Sequence, residues 1–345
     1  MDKIDIKNLS KAELEAALAE LGEAAYRARQ VTKWLYASGA KSFDEMTDIP
    51  LELRKKLKTK FHVTRLTMLD TRRSSRDGTA KYLFKLEDGN AIETVYLPEA
   101  DRNTICLSSQ VGCRYACSFC ASAYAGFVRN LKSSEMLDEV LSVKAGNPSA
   151  RITNLVFMGI GEPLDNYDNV MKAVRVFNDK GAFNIGARKI TLSTCGIIPG
   201  IERLKKEGLQ IELSVSLHSA DDKTRSRLVP VNKKYPLEDL METCRDYVKE
   251  TNRIITFEYV LIKGVNSSRE DAFKLAGLLK GMKCKVNAIL YNEVKAKGYE
   301  VPSRDDVKRF MRILKSNGIN ALHRKSKGEE IDAGCGQLRI SRMIG

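Results

Sequence analysis

Gly112-Cys113-Arg114-Tyr115-Ala116-Cys117-Ser118-Phe119-Cys120 follows a short apolar run, Thr104–Ser109, whose pattern predicts a β-strand. The three cysteines stand at a C-x-x-x-C-x-x-C spacing, so one short loop offers three thiolates. A cubic iron–sulfur cluster has four irons, each needing an outer ligand. Three protein thiolates leave one iron open, and an open iron can bind a substrate and pass an electron into it. Shuffling eight cysteines through 345 residues produces this spacing roughly 0.003 times per chain. A zinc knuckle is the competing reading, but zinc sites usually take four ligands from paired C-x(2–4)-C units, and no second pair lies nearby. Cys113, Cys117 and Cys120 are therefore the metal ligands expected of this chain.

Outward from that loop the pattern alternates strand and helix. Strands are predicted at Thr104–Ser109, Asn154–Met158, Lys189–Ser193, Ile211–Leu217, Ile254–Leu261, Val286–Tyr291 and, weakly, Asn320–Arg324. Helical segments between them include Ser134–Lys144, Leu237–Glu250, Arg269–Leu279 and Arg304–Ser316. Such alternation means parallel strands joined by right-handed crossovers. Six or seven units are too few to close an eight-fold barrel. The expected class is α/β, an open or partial β/α barrel, with a doubly wound sheet as the alternative.

Residues 1–62 read as a small helical accessory domain. Ser10 and Glu13 form a capping box ahead of Leu14, Leu18 and Leu21. A second helix runs from about Ala24 to Ala37, and Pro50 opens a third. Residues 63–100 read as a β-hairpin connector, with Tyr82, Phe84 and Leu86 alternating, Asp88-Gly89 turning, and Ile92 to Leu97 returning. Residues 101–345 form the main domain.

In parallel β/α folds the active site lies beyond the carboxyl ends of the strands. After the first strand comes the cysteine loop. After the second comes Gly161-Glu162-Pro163-Leu164, where glycine lets backbone approach a ligand and a carboxylate could hold an ammonium group. Ser193, Ser216, Leu217, His218 and Asn292 stand at later strand ends. Together they are candidates for the amino, carboxylate and ribose groups of S-adenosylmethionine. For each alone, a cap or core hydrogen bond is an equally good explanation. Cys195, Cys244 and Cys284 read as small buried hydrophobes, and Cys106, inside the first strand, reads locally as buried. Cys335 differs, because Asp332-Ala333-Gly334-Cys335-Gly336-Gln337 is a polar, glycine-flanked segment that favours a reactive thiol.

The chain carries 58 basic and 44 acidic residues, a net charge of +14. That excess points to a polyanionic partner such as RNA or DNA. Arg54-Lys55-Lys56, Arg72-Arg73, Lys233-Lys234 and Arg324-Lys325 are the basic clusters, although the first also fits the solvated face of a helix. The N-terminal residues lack an apolar signal core and no run reaches membrane-spanning length. The expectation is a cytoplasmic protein with no membrane association, in which thiols stay reduced.

The three-cysteine motif resembles the radical S-adenosylmethionine (SAM) superfamily. The whole chain resembles the RlmN-type RNA adenine methyltransferases within it. The resemblance is carried by the helical N-terminal domain, Val111-Gly112-Cys113, Gly161-Glu162-Pro163-Leu164, Ser216-Leu217-His218, Val229-Pro230-Val231-Asn232-Lys233 and Ile331 to Leu338. It implies a partial (β/α)6 barrel, one [4Fe-4S] cluster and two SAM molecules per methylation. It also implies that Cys335 carries the methyl group as S-methylcysteine and that Glu93 accepts a proton. Cys106 then resolves the adduct through a transient disulfide with Cys335. Read without the resemblance, Glu93 is a surface strand residue. Implied partners are 23S rRNA, tRNA and a reductant such as flavodoxin, acting on a monomer. Two stretches depart from the pattern: Gly334, where an Ala-Ala pair usually follows the Asp, and Ala121 to Phe127. Pro163 favours carbon 2 of the adenine over the carbon 8 chosen by Cfr-type relatives, which resemble Gly-Glu-Ala there. A non-catalytic iron–sulfur protein that binds RNA or carries electrons is the reading from a different class.

Overall fold

The computed structural model describes residues 3–124, 126–294 and 298–338. The apolar runs assemble in chain order into one ten-stranded sheet. Its strands are β1 (Thr67–Arg73), β2 (Ala80–Lys85), β3 (Ala91–Leu97), β4 (Thr104–Cys106), β5 (Asn154–Phe157), β6 (Ile190–Thr194), β7 (Glu212–Ser216), β8 (Ile255–Leu261), β9 (Cys284–Leu290) and β10 (Ala321–Arg324). The spatial order runs from β10 to β1 without a break. Neighbours from β4 to β10 are parallel. Those from β1 to β4 are antiparallel.

That order settles the architecture. A doubly wound sheet needs a switch point where strand order reverses. Here the order never reverses, so every right-handed crossover lays its helix on the same face. The sheet is the partial barrel, with seven parallel strands rather than six. The seventh, β10, is the weakest in the sequence and pairs with β9 from Val286↔Ala321 to Ile289↔Arg324.

The crossover helices are α4 (Ser133–Ala145), α5 (Tyr167–Asn178), α6 (Ile198–Lys205), α7 (Asp222–Leu228), α8 (Leu237–Thr251), α9 (Arg269–Leu279) and α10 (Arg304–Ser316); α1 to α3 belong to the N-terminal segment. Phe157 of β5 meets Phe177 of α5 with ring centroids 6.4 Å apart. Tyr259 of β8 meets Phe310 of α10 at 5.4 Å. Strand side chains alternate between faces, so the register assigns the opposite face its own residues. That face carries Cys106, Val156, Ser193, Ser216, Glu258, Asn287 and Arg324. It is unusually polar for a sheet interior.

At the N-terminus, α1 (Lys11–Glu20), α2 (Tyr26–Thr32) and α3 (Leu51–Lys60) form the helical segment. The Ser10–Glu13 capping box is present, with bonds of 3.2 and 2.6 Å. The second helical run reaches Ala37 as its apolar pattern indicates, its last turn at Lys33–Ala37 widening into a π-helix. A buried ion pair, Lys7 Nζ to Asp138 Oδ1 at 2.5 Å, ties this segment to α4. The connector is larger than a hairpin, because β1 adds a third antiparallel strand. Every residue of β1 is exposed. A strand wetted on both faces has no alternation to detect.

Candidate active site

The cysteine loop leaves the sheet after β4 and is fixed by backbone. Cys113 N–H donates to the Gly126 carbonyl at 3.0 Å, Ser118 N–H to Leu228 at the end of α7 at 2.9 Å, and Cys120 N–H to Cys117 at 3.1 Å. Gly112 has φ +76° and lies so near Gly126 that a Cβ would stand 1.7 Å from its carbonyl oxygen; no other residue fits there. Burial pushes the Cys113 thiol up to about 12, helped by Cys120 and Glu162 nearby. Cys117 is raised further, first by burial and then by Cys120 and Cys113. Cys113 and Cys117 are thus thiols whose ionisation calls for a cationic partner.

The rim residues gather around this loop. Gly161 has φ +103°, and a Cβ there would meet the Gln110 side chain at 2.6 Å. Glu162 is buried, and its carboxylate accepts N–H bonds from Cys195 at 2.7 Å and Leu164 at 3.0 Å. Both oxygens thus already hold backbone, so this carboxylate shapes the rim as well as facing it. Ser193 and Ser216 lie on the concave face. Leu217 is fully buried, and its N–H donates to the Glu258 carbonyl at 3.0 Å. His218 has φ +56° and accepts the Val260 N–H on Nδ1 at 3.0 Å. Its ring meets Phe119 of the cysteine loop edge-on at 4.6 Å. Burial, and then the Arg225 guanidinium, lower His218 to about 3, so it is a neutral imidazole with its proton on Nε2.

The C-terminal segment closes the concave face. Ala121 N–H donates to Gly336 O at 2.7 Å, and Ser122 Oγ to Leu338 O at 2.8 Å, so the Cys335 loop sits on the cysteine loop. Asn292, assigned in the sequence to cofactor, donates to the Cys335 carbonyl at 2.9 Å. Gly334 explains that closeness: a Cβ would stand 2.8 Å from Asn292 Nδ2 and from Gln337 Oε1. Of the other departing stretch, Ala121–Ala123 form a single 3-10 turn, while Ala125 lies outside the described residues. Cys335 is exposed as a residue, but the hydration its thiol loses on the side facing the site raises it, offset by Arg324, with Glu258 and Cys120 as further neighbours. Cys106 is buried and pushed up to about 12 by burial and by Cys335. Both are free thiols. The structure thus brings Cys106, Cys335 and Cys120 into one corner.

Glu93 belongs to this corner and not to the surface. It is 4 % exposed. Its carboxylate faces Lys81 Nζ at 3.3 Å, and Lys81 also donates to the Asp332 carbonyl at 3.1 Å. Alternation shows which residues share a face of β3; it does not reveal that a segment far along the chain covers that face.

With this geometry established, the similarity to known proteins is decisive. The Radical SAM superfamily pattern matches residues 107–276, and the ribosomal RNA large subunit methyltransferase N-terminal domain matches residues 4–63. The chain is 47 % identical over 335 residues to the probable dual-specificity RNA methyltransferase RlmN of Thermoanaerobacter sp. (strain X514), covering 97 % of each chain. It is 45 % identical to the protein of the same name from Staphylococcus aureus (strain JH9), covering 98 % of this chain and 93 % of that one. The chain belongs to the RlmN family. A radical SAM methyltransferase from Sphaerobacter thermophilus superposes with a TM-score of 0.93 at 45 % identity, covering 97 % of this chain and 99 % of that one.

RlmN membership within the radical SAM superfamily implies a [4Fe-4S] cluster and SAM. The donor set fits the cluster. Among the described residues, no three His, Cys, Asp or Glu side chains converge as ligands of a single ion would. Thiolates that each own a different iron need not converge, since they cap separate corners of a cube. Two residues outside the motifs also shape the RlmN site. Arg225 is fully buried and donates to the carbonyls of Cys195 at 2.7 Å and Ser216 at 3.3 Å, stapling the ends of β6 and β7. Lys81 is the other. Each reads in sequence as a solvated cation, and only the tertiary contacts show otherwise. Among the described residues no helix is long and apolar enough to cross a membrane.

Proposed function

We propose that this protein methylates carbon 2 of an adenine at the peptidyl-transferase centre of 23S rRNA, and of the adenine beside the anticodon in some tRNAs. The observation that carries this reading is the seating of the Cys335 loop on the cysteine loop through the Ala121–Gly336 hydrogen bond, with Cys106 beside Cys335. That seating puts the Cys335 loop against the loop whose cysteines would hold the cluster, with a second thiol beside Cys335 to finish the reaction. Membership of the RlmN family supports it.

When bound, SAM supplies a methyl group from one molecule and, after one-electron cleavage of a second at the open iron, a 5′-deoxyadenosyl radical. Cys113, Cys117 and Cys120 would hold the cluster, while the backbone about Gly161 with Ser193, Ser216, Leu217 and His218 would hold the cofactor. Asn292 braces the Cys335 loop beside them. Cys335 accepts the methyl group and then gives one of its hydrogen atoms to the 5′-deoxyadenosyl carbon; the methylene left on sulfur adds to the adenine ring, and the unpaired electron of the adduct would return to the cluster that supplied it. Glu93 takes the proton from the ring carbon. The Cys106 sulfur, losing its proton, attacks that of Cys335; the sulfur–carbon bond breaks with its electron pair going to carbon, which takes up a proton to become the methyl group, and the base leaves a Cys106–Cys335 disulfide. A dithiol or flavodoxin-type reductant restores both thiols, and the enzyme works as a cytoplasmic monomer. Carbon 2 of adenine is electron-poor and has no lone pair, so polar transfer to it fails where radical addition succeeds.

The test is anaerobic reconstitution of the protein with iron and sulfide, then incubation with rRNA and tRNA fragments and mass spectrometry of the nucleosides. The result expected is 2-methyladenine from both substrates. An 8-methyladenine product overturns the choice of carbon, and intact SAM overturns the radical reading.

A further inference from the structure

We infer that Lys81 is a positioning residue for methyl transfer, a buried ammonium that holds the Glu93 side chain as a carboxylate and anchors the Cys335 loop against it. Lys81 and Glu93 project from the same face of β2 and β3, since Lys81 pairs with Val95 and Leu83 with Glu93. Lys81 is 8 % exposed and Glu93 4 %. A buried lysine is seldom accommodated without partners. Its partners here are the Glu93 carboxylate at 3.3 Å and the Asp332 carbonyl at 3.1 Å, three residues before Cys335.

The ammonium has two consequences. An adjacent cation favours the ionised carboxylate, and only the ionised form can take a proton from carbon. The same ammonium fixes one end of the loop, while Asn292 fixes the other through the Cys335 carbonyl at 2.9 Å. Proton acceptor and methyl-bearing thiol thus share one anchor. The other titratable groups brought to this corner are Cys106 on β4, Glu258 on β8, Arg324 on β10, Glu139 on α4, Cys120 on the cysteine loop, and Cys335 and Asp332 on the C-terminal loop. When the proton moves from the ring carbon to a Glu93 oxygen, its bonding electrons stay with the adduct. The ion pair is then discharged, and Lys81 keeps only the loop carbonyl.

The inference rests on reading Glu93 as the proton acceptor, and the experiment separates the two. Single-turnover methylation by the reconstituted enzyme is followed from pH 5.5 to 9 for wild type, Lys81→Gln, Lys81→Arg and Glu93→Gln. Transfer of a methyl group from SAM to Cys335, which needs no Glu93, is measured by mass spectrometry on the same samples. Lys81→Gln keeps a donor for Asp332 but removes the charge. It should move the acid limb of the profile upward by at least one pH unit and slow turnover at pH 7 at least tenfold. KM for RNA should change less than threefold, and Cys335 should still be methylated. Lys81→Arg should restore the wild-type limb. Loss of activity in Glu93→Gln with an unmoved limb in Lys81→Gln overturns the role of Lys81 alone. Normal turnover by Glu93→Gln overturns the reading of Glu93 and this inference with it. Melting temperatures within a few degrees of wild type establish that each variant folds.

Discussion

In the proposed route Cys335 and Cys106 sit together yet have separable tasks, and their variants should fail differently. Cys335→Ala removes the carrier of the methyl group, so methylated adenine should disappear while reductive cleavage of SAM continues. Cys106→Ala leaves nothing to attack the sulfur–carbon bond, so RNA should remain joined to the protein as a nuclease-sensitive species of retarded mobility. Normal turnover in both would rule out the covalent route. His218 makes a prediction about stability. Its folded pKa lies near 3 against 6.5 unperturbed. A proton is then taken up by the unfolded chain first, and stability falls as pH drops from about 6.5 towards 3. His218→Asn lacks that penalty. Its deficit in unfolding free energy relative to wild type should therefore narrow over this window, as read from urea titrations at several pH values. The spacing of Cys113, Cys117 and Cys120 made them legible as a candidate cluster loop, and the glycine-flanked setting of Cys335 made it a candidate reactive thiol. Glu93 and Lys81 were not, because a charged residue in an alternating strand reads as solvated until its cover is known.

Among the elements, α7 and the connector do work that their sequences conceal. Helix α7 spans only Asp222–Leu228, yet its Arg225 joins two strand ends that bear Cys195 and Ser216, with Asn232 holding the other guanidinium nitrogen at 2.5 Å. Lysine has no planar fork. Arg225→Lys should thus behave almost like Arg225→Met, with a stability loss of about 3 kcal/mol in denaturant titration and a reduced iron content after reconstitution. The connector grips the segment before Cys335 at several points. Gly328 N–H donates to Asp77 at 3.0 Å, Ser75 N–H to Glu330 at 3.0 Å, and Lys327 to the Pro98 carbonyl at 3.2 Å. The seven parallel strands were visible because strands covered by helices read as apolar runs. Strand β1 was hidden because it is covered by nothing.

For the whole molecule, a net charge of +14 and a helical N-terminal segment bound to α4 agree with a polyanionic substrate. Phosphate contacts release counterions, so RNA binding should weaken at least about tenfold between 50 and 200 mM salt. SAM cleavage without RNA should barely respond to salt. An equal response of both would mean that the charge serves folding or solubility and not substrate capture; filter binding and 5′-deoxyadenosine yield at matched salt decide it.

The Ala121–Gly336 contact also has a meaning in time. A chain is made from its N-terminus and its parts fold as they emerge. The loop at 113–120 is complete more than two hundred residues before the segment that roofs it, so iron delivery has an open doorway for most of synthesis. That doorway shuts only when the segment about Gly336 emerges, so closure follows the making of the loop: a protein truncated before Gly336 retains Cys113, Cys117 and Cys120 but has no reagent to put above them.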